Sequence, residues 1–226
     1  MTFILNILHR DMSILAADQK AISGLSASGM SNGTASAVSS SIVNDYRKIT
    51  LNSGRSLAVA IAGNTQDHFY MPEIPLSVSI NEALSKIRRN MESILRVNDR
   101  ASLSKLTDFM VNQSIATFFD QDEGTYFSNE FMFSPVHNQT RLHRPADGVT
   151  ILHAGSGSEY FKKSEGRECI EEFTSSAKVS CTLEACLSWL KDTYRKVSAN
   201  DFNSGPEAMI FVSTRLDQKF HSIERC

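Results

Sequence analysis

The stretch MTFILNILHRDMSILAAD, residues 1–18, contains two short apolar runs, Phe3–Leu8 and Ser13–Ala17, with a polar turn between them. Each run has the length and the apolar character of a buried strand. We therefore expect an antiparallel hairpin at the start of the chain. Such a hairpin puts Thr2 at the beginning of one core strand and Asp18 at the end of the next.

The following third of the chain predicts a loop and a second hairpin. Ile22–Ser41 is rich in serine, glycine and alanine, and we interpret it as a loop, either a disordered connector or a flap that faces a substrate. Tyr46–Asn52 and Leu57–Ala62 are predicted strands, because a Ser-Gly turn signal separates an alternating run from an apolar one.

Helices are predicted where apolar residues recur every three or four positions. Two adjacent segments have this spacing, Asn81–Val97 and Ser102–Phe119, and two later ones follow at Glu159–Phe173 and Leu183–Val197. The remaining predicted strands are Thr125–Phe133, Thr140–His143, Val149–Ala154, Glu207–Thr214 and Gln218–Ile223.

The order of these elements predicts the fold class. Strands and helices come in separate groups, which is typical of an α+β protein whose helices cover an antiparallel core. A four-layer αββα sandwich is one arrangement that satisfies this order. No internal repeat or linker divides the chain, so we expect residues 1–226 to form a single domain, and this length suffices for a sizeable core.

Composition excludes few functions but sets useful expectations. The net charge of -2 and the isoelectric point near 6.3 give no basic surplus, so we expect no nucleic-acid partner. No apolar run approaches the roughly 20 residues of a membrane span, and we expect no membrane association and a cytoplasmic location. The spacing of the four cysteines matches neither a zinc site nor a CxxC motif, and no metal or cofactor is expected.

The first two residues, Met1 and Thr2, indicate a possible nucleophile. Removal of Met1 exposes a threonine that carries both a hydroxyl and a free α-amine, and the amine can act as the base for the hydroxyl. The ordinary pKa of an α-amine, about 7.7–8.0, suits proton transfer near neutral pH. Because many proteins begin with Met-Thr, this pattern carries little weight without other residues.

Other polar residues fall at positions that complete such a site. Lys48 lies in a predicted strand and needs either a carboxylate partner or access to water. Gly63 follows the strand LAVAIA, where its N–H either binds an oxyanion or simply serves a turn. HAGSGS, from His153, follows a strand and matches neither a nucleophile elbow nor a phosphate loop. DFNSG, from Asp201, has the composition of an ordinary turn when taken alone.

Taken in order, these segments resemble the proteasome β-subunit family. The resemblance runs from residue 2 to about residue 215 and is carried by the opening hairpin and by YRKITL, LAVAIAGNTQD, HAGSGSEYF and DFNSG. Because Thr2 directly follows Met1, the chain looks closer to the bacterial HslV peptidase, and most similar to a betaproteobacterial proteasome homologue, than to subunits with a propeptide. The family implies an αββα sandwich of the N-terminal nucleophile hydrolase type.

The resemblance also implies a role for each matching residue. Thr2 is the expected nucleophile, Lys48 lowers the proton affinity of its hydroxyl, and Asp18 pairs with Lys48. Gly63 is expected to bind the oxyanion, and three further residues orient the α-amine and a water. Those three residues are Ser156, Asp201 and Ser204. The expected substrate-binding residues are Ile22, Ile61, Gly63 and Thr65.

The family further implies a set of partners, and the chain departs from the family pattern in several places. The expected substrate is a peptide or an unfolded protein, inside a homo-oligomeric double ring of six- or seven-fold symmetry that an ATP-dependent unfoldase can feed. The segment before Lys48 is longer than usual, and Gln66–Ser79 resembles an inserted loop. Two alternatives remain open, namely a catalytically silent ring subunit and an N-terminal nucleophile amidase that acts on small amides.

Overall fold

The described part of the chain is built mainly from antiparallel β-sheet. The structure, a computed structural model, describes residues 3–23, 41–43, 48–62, 82, 85, 89, 112–133, 138–145 and 148–223. Within these ranges, the strands form two five-stranded antiparallel sheets and one two-stranded sheet. The predicted N-terminal hairpin is confirmed.

Sheet I contains the N-terminal hairpin and has the strand order β10-β1-β2-β11-β12. Its strands are β1 (Phe3–His9), β2 (Met12–Asp18), β10 (Val149–Gly155), β11 (Ala208–Thr214) and β12 (His221–Ile223). Sheet II runs in simple sequence order. Its strands are β5 (Ile49–Leu51), β6 (Leu57–Ala62), β7 (Asn112–Asp120), β8 (Thr125–Phe133) and β9 (Asn138–His143). The strands β3 (Ala21–Ser23) and β4 (Ser41–Val43) pair separately.

A helical layer covers one face of sheet I. It consists of a 3-10 helix (Ser156–Lys162), helix α1 (Ser164–Val179) and helix α2 (Leu183–Asn200). The helices bury Phe173, Tyr194 and Val197 against the side chains of Phe3 and Leu5, among others. None of the described helices is long and apolar enough to cross a membrane.

The opening hairpin is apolar without alternation because both of its faces are covered. Side chains on one face of β1 and β2 pack against the helices, whereas Ile4, Leu15 and Ala17 on the other face pack against sheet II. Sheet I is thus the middle layer of the described structure.

The beginning of α2 is fixed by its own sequence. The Thr182 hydroxyl accepts a hydrogen bond of 3.2 Å from the Ala185 N–H, which is an N-cap. Cys181 and Cys186 flank this cap, and their sulfur atoms lie 3.6 Å apart as free thiols. Their positions before and after the cap are those of a hydrophobic staple, so we assign this pair a packing role.

The prediction of an α+β fold with a four-layer αββα sandwich of the N-terminal nucleophile hydrolase type is wrong. The structure is mainly β, with two five-stranded antiparallel sheets and a single helical layer among the described residues. One cause is the predicted helix Ser102–Phe119, whose second half is strand β7. Ile115 and Phe118 fit a helical face, yet Ile115 packs toward sheet I and Phe118 stacks on Phe127 on the opposite face. A strand buried on both faces lacks the alternation that identifies strands.

Other element predictions agree with the structure. The predicted helix Leu183–Val197 is confirmed and extends to Asn200. The predicted helix Glu159–Phe173 is helical but is interrupted at Lys163, where the 3-10 helix gives way to α1. Of the predicted helix Asn81–Val97, the three described residues are helical. The loop Ile22–Ser41 is strand at its ends and, like Gln66–Ser79, otherwise lies outside the described residues.

A polar network crosses the interface between the two sheets. The Asn6 side chain donates to the Ser13 hydroxyl (3.1 Å) and to the Ile14 carbonyl (3.0 Å), and it accepts from the Ser128 hydroxyl (2.6 Å). Ser13 in turn lies 2.7 Å from the Thr117 hydroxyl. Asn6, Ser13, Thr117 and Ser128 are fully buried. The network therefore has every partner it needs within the core.

We expect Asn6→Ala to lower the free energy of unfolding by about 2–3 kcal/mol, because it leaves the buried Ser128 hydroxyl without its partner and removes a hydrogen bond to Ser13. Urea denaturation measures this loss. Ser128→Ala and the double variant complete a thermodynamic cycle, in which the two losses should not add, since both residues belong to one network. A loss below about 0.5 kcal/mol for Asn6→Ala would contradict a stabilising role for the network.

Candidate active site

The candidate site lies where the start of β1 meets the end of β2. The antiparallel register pairs Ile4 with Ala17, so Phe3 reaches the level of Asp18. The Phe3 N–H donates a hydrogen bond of 2.8 Å to the Asp18 carboxylate, through Oδ1. Asp18 is fully buried, and a buried carboxylate requires such donors.

Lys48 provides the second partner of Asp18. Its ammonium lies 2.9 Å from Oδ1, the same oxygen that accepts from Phe3, and it also donates to the Lys20 carbonyl. The Lys48 and Asp18 side chains are 1% and 0% exposed, so this is a buried ion pair. The Gly205 N–H donates to the other oxygen, Oδ2, at 3.1 Å. Asp18 therefore joins three separate segments of the chain.

Burial changes the proton affinity of Lys48. It lowers the pKa of the ammonium below its ordinary value of 10.5, although the negative charge of Asp18 opposes this effect. The positive charge of Lys20 lowers the pKa of Lys48 further. The ammonium is thus a positive group that the fold holds in place, and it gives up its proton more readily than an exposed lysine does.

A second cluster centres on Asp201, at the end of α2. The hydroxyls of Ser156 and Ser204 each donate to Oδ2 of Asp201 at 2.7 Å. The backbone and side-chain nitrogens of Asn203 donate to Oδ1 at 3.0 and 3.2 Å. The segment Asp201–Gly205 therefore folds around the carboxylate of Asp201. Gly205, the last residue of the segment, contacts Asp18.

These donors set the charge of Asp201. Burial alone raises the pKa of the carboxyl, but the hydrogen bonds from Ser204, Ser156 and Asn203 together lower it below the ordinary value. Asp201 is therefore ionised throughout the neutral pH range. It can balance a nearby positive charge.

No protein-family model matches this sequence, and no curated protein shows significant similarity to it.

The segment between β10 and the 3-10 helix brings Ser156 to the same edge. Phe3 pairs with Gly155, which has a φ of 88°, a conformation that favours glycine and turns the chain into the helix. A Cβ on Gly157 would lie 2.6 Å from the Phe3 ring, so only glycine allows this approach. The backbone around Ser156 therefore packs directly against Phe3.

The structure brings together five of the sequence-predicted site residues in two linked groups. Asp18 and Lys48 form one group, and Ser156, Asp201 and Ser204 form the other. The contact between Gly205 and Asp18 links the groups. Of the substrate-binding predictions, Ile61 is buried at the end of β6, and its N–H donates to the Lys48 carbonyl at 3.2 Å.

Some predicted residues lie outside the described part of the chain. These are Thr2, Gly63 and Thr65, while Ile22 lies in β3 with its side chain outside the description. Among the described residues, no group of three histidine, cysteine or carboxylate side chains is arranged to bind a metal ion.

Sequence reasoning missed contacts that are made through the backbone. Lys20 accepts from Lys48 through its carbonyl, while its own ammonium donates to the Phe202 carbonyl and lies 4.2 Å from the centroid of that ring. Any residue type offers a carbonyl, so no sequence signal could identify Lys20. Sequence reasoning also missed Tyr194, whose hydroxyl donates to the Phe3 carbonyl.

Proposed function

We propose that this chain is a threonine peptidase that uses Thr2 as its nucleophile once Met1 has been removed, by a mechanism similar to that of proteasome β-subunits. The observation that carries the proposal is the buried Lys48–Asp18 ion pair. Its carboxylate oxygen also accepts from the Phe3 N–H, and Phe3 is bonded to Thr2. A positive charge is thereby fixed beside the chain position where the nucleophile is expected.

The chemistry follows from these charges. The α-amine of Thr2 takes the proton of the hydroxyl as the oxygen attacks a peptide carbonyl. The ammonium of Lys48 favours the negative charge that develops on the attacking oxygen, and it does so strongly because Lys48 and its partner Asp18 are buried. Gly63 is the proposed donor to the oxyanion of the substrate.

Asp201 and its two serines support the proton transfers. The carboxylate is ionised and is held by the hydroxyls of Ser156 and Ser204. A carboxylate near the α-amine favours the ammonium that forms when the amine accepts a proton, whereas Lys48 disfavours it. We propose that these residues orient the amine and a bridging water. Ile22, Ile61 and Thr65 are the proposed contacts of the substrate chain.

The proposed physiological setting follows the resemblance. We propose a peptide or unfolded-protein substrate, a cytoplasmic location and a homo-oligomeric double ring with the sites inside. An ATP-dependent unfoldase is the proposed partner that would deliver folded substrates.

Reaction with a peptide epoxyketone tests the proposal. The warhead forms a ring adduct only with a residue that offers both a hydroxyl and an amine, so we expect one adduct per chain, at Thr2, by mass spectrometry. Hydrolysis of fluorogenic peptides should disappear in parallel. Absence of both the adduct and peptide hydrolysis would favour the silent subunit. Hydrolysis of small amides without peptide hydrolysis would favour the amidase.

The pH dependence of the rate provides a further prediction. Because burial lowers the pKa of Lys48, the ammonium is lost at a lower pH than the 10.5 of an ordinary lysine. We expect kcat/KM, which reports the free enzyme, to fall on the alkaline side before pH 10.5. In Lys48→Arg the guanidinium stays charged, so any remaining rate should lack this fall. A wild-type profile that stays level up to pH 10.5 would contradict the role of Lys48.

A further inference from the structure

Phe3, the residue after the proposed nucleophile, is held through its backbone and its side chain. Its N–H donates to Asp18, and its ring lies against the rings of Tyr194 and Phe161, with centroids 4.9 and 5.9 Å apart. Gly157 closes over the same ring. Phe3 itself is fully buried. Phe3 is therefore held by side-chain contacts in addition to the pairing of its strand.

Tyr194 completes this restraint on the carbonyl side. Its hydroxyl donates to the Phe3 carbonyl at 3.3 Å, and only 1% of the residue is exposed. Burial, with a contribution from the Asp18 charge, raises the pKa of Tyr194 well above its ordinary value, so the phenol remains a neutral donor in the working range of pH.

Helix α2 connects Tyr194 to the second group of site residues, which centres on Asp201. The same helix leads into Asp201, whose N–H donates to the Val197 carbonyl at 2.8 Å. A single rigid element thus contacts the residue next to Thr2 and also carries the carboxylate proposed to orient the α-amine.

We infer that Tyr194 is a positioning residue, which fixes the backbone of Phe3 and thereby the place of the Thr2 hydroxyl and amine relative to Lys48 and Asp201. This inference rests on the proposed function. The hydroxyl of Tyr194 contacts the Phe3 carbonyl, so we assign Tyr194 no direct part in the chemistry. Its effect arises because attack requires the reacting atoms at a fixed separation, and small displacements lower the rate strongly.

Tyr194→Phe tests the inference, since it keeps the ring contact with Phe3 and removes only the hydroxyl. We expect kcat per reactive site to fall about three- to tenfold, with KM unchanged. The number of reactive sites is counted by end-point titration with the epoxyketone. A merely structural defect lowers the number of sites but leaves the rate of each site unchanged.

Tyr126→Phe is the matched control. Tyr126 is also fully buried, and its hydroxyl lies 2.7 Å from the Ser213 hydroxyl. Ser213 lies near the end of β11 that is far from Asp18, which pairs with Ala208 at the start of that strand. We expect this variant to lose stability toward urea to a similar extent while keeping the wild-type kcat per site. An equal fall of kcat per site in both variants would show that general loosening, and not the contact with Phe3, is responsible.

A second variant keeps the test decisive if Tyr194→Phe does not fold. Phe3→Leu removes the ring contact with Tyr194 from the other side and should lower kcat per site in the same direction. The inference is overturned if a folded Tyr194→Phe variant keeps the wild-type kcat per site. Where Tyr194→Phe does not fold, a wild-type kcat per site in Phe3→Leu overturns it. Either result leaves the proposed function standing. A wild-type chain that neither cleaves peptides nor forms the adduct overturns the proposed function itself.

Discussion

A chain with an extension before Thr2 that cannot be removed is expected to lose its peptidase activity by at least about a hundredfold. The extension turns the α-amine into an amide, which cannot accept a proton at neutral pH. The hydroxyl of Thr2 is still present in such a chain. The loss therefore separates the role of the amine from that of the hydroxyl.

The extension is best built with a protease site that leaves Thr2 as the first residue after cleavage. The same preparation is then assayed before and after cleavage, and we expect activity toward a fluorogenic peptide to appear only afterwards. Thr2→Ala with the same extension is the matched control, and it should stay inactive in both states. Equal turnover before and after cleavage would remove the basis for an N-terminal nucleophile.

Lys48→Met is expected to lower kcat by about 10²–10³-fold, because the positive charge that favours the attacking oxygen is lost. The same change leaves the Asp18 carboxylate buried without its ion-pair partner, which costs about 3–5 kcal/mol of stability. Activity must therefore be referred to the folded fraction, measured by circular dichroism under the assay conditions.

A double variant separates the two effects of Lys48. In Lys48→Met with Asp18→Asn, no charge remains buried at this point, and we expect much of the stability to return while the rate stays low. Lys162→Met removes a lysine that is 70% exposed and should change neither quantity. Recovery of the rate together with the stability in the double variant would show that Lys48 matters for folding alone.

The hairpin, Asp18 and Lys48 could be recognised from local signals in the sequence, whereas Ser156, Asp201 and Ser204 were assigned to the site only through the family resemblance. Two apolar runs around a polar turn predict β1 and β2, and the end of the second run marks Asp18. Lys48 stands out as a charge within a predicted strand, and such a charge needs a partner. The pairing of Lys48 with Asp18 came from the family resemblance, since spacing alone does not specify it.

The remaining features depend on contacts that a single sequence does not display. Strand β7 has apolar residues at helical spacing, because the strand is buried on both faces and its sequence therefore does not alternate. The Lys20 carbonyl and the Phe3 N–H belong to the backbone, so the identity of the side chain carries no information about them. Tyr194 is hydrophobic by pattern, and its hydrogen bond appears only when α2 is placed over β1.

The carboxylate of Asp18 accepts from Gly205, a residue 187 positions further along the chain. During synthesis the hairpin of β1 and β2 leaves the ribosome well before Asp201 and Gly205 emerge. A nascent chain therefore holds Asp18 and Lys48 before the segment that contains Gly205 is present. Under the proposed function, peptide hydrolysis therefore begins only after Gly205 has been synthesised and has reached Asp18.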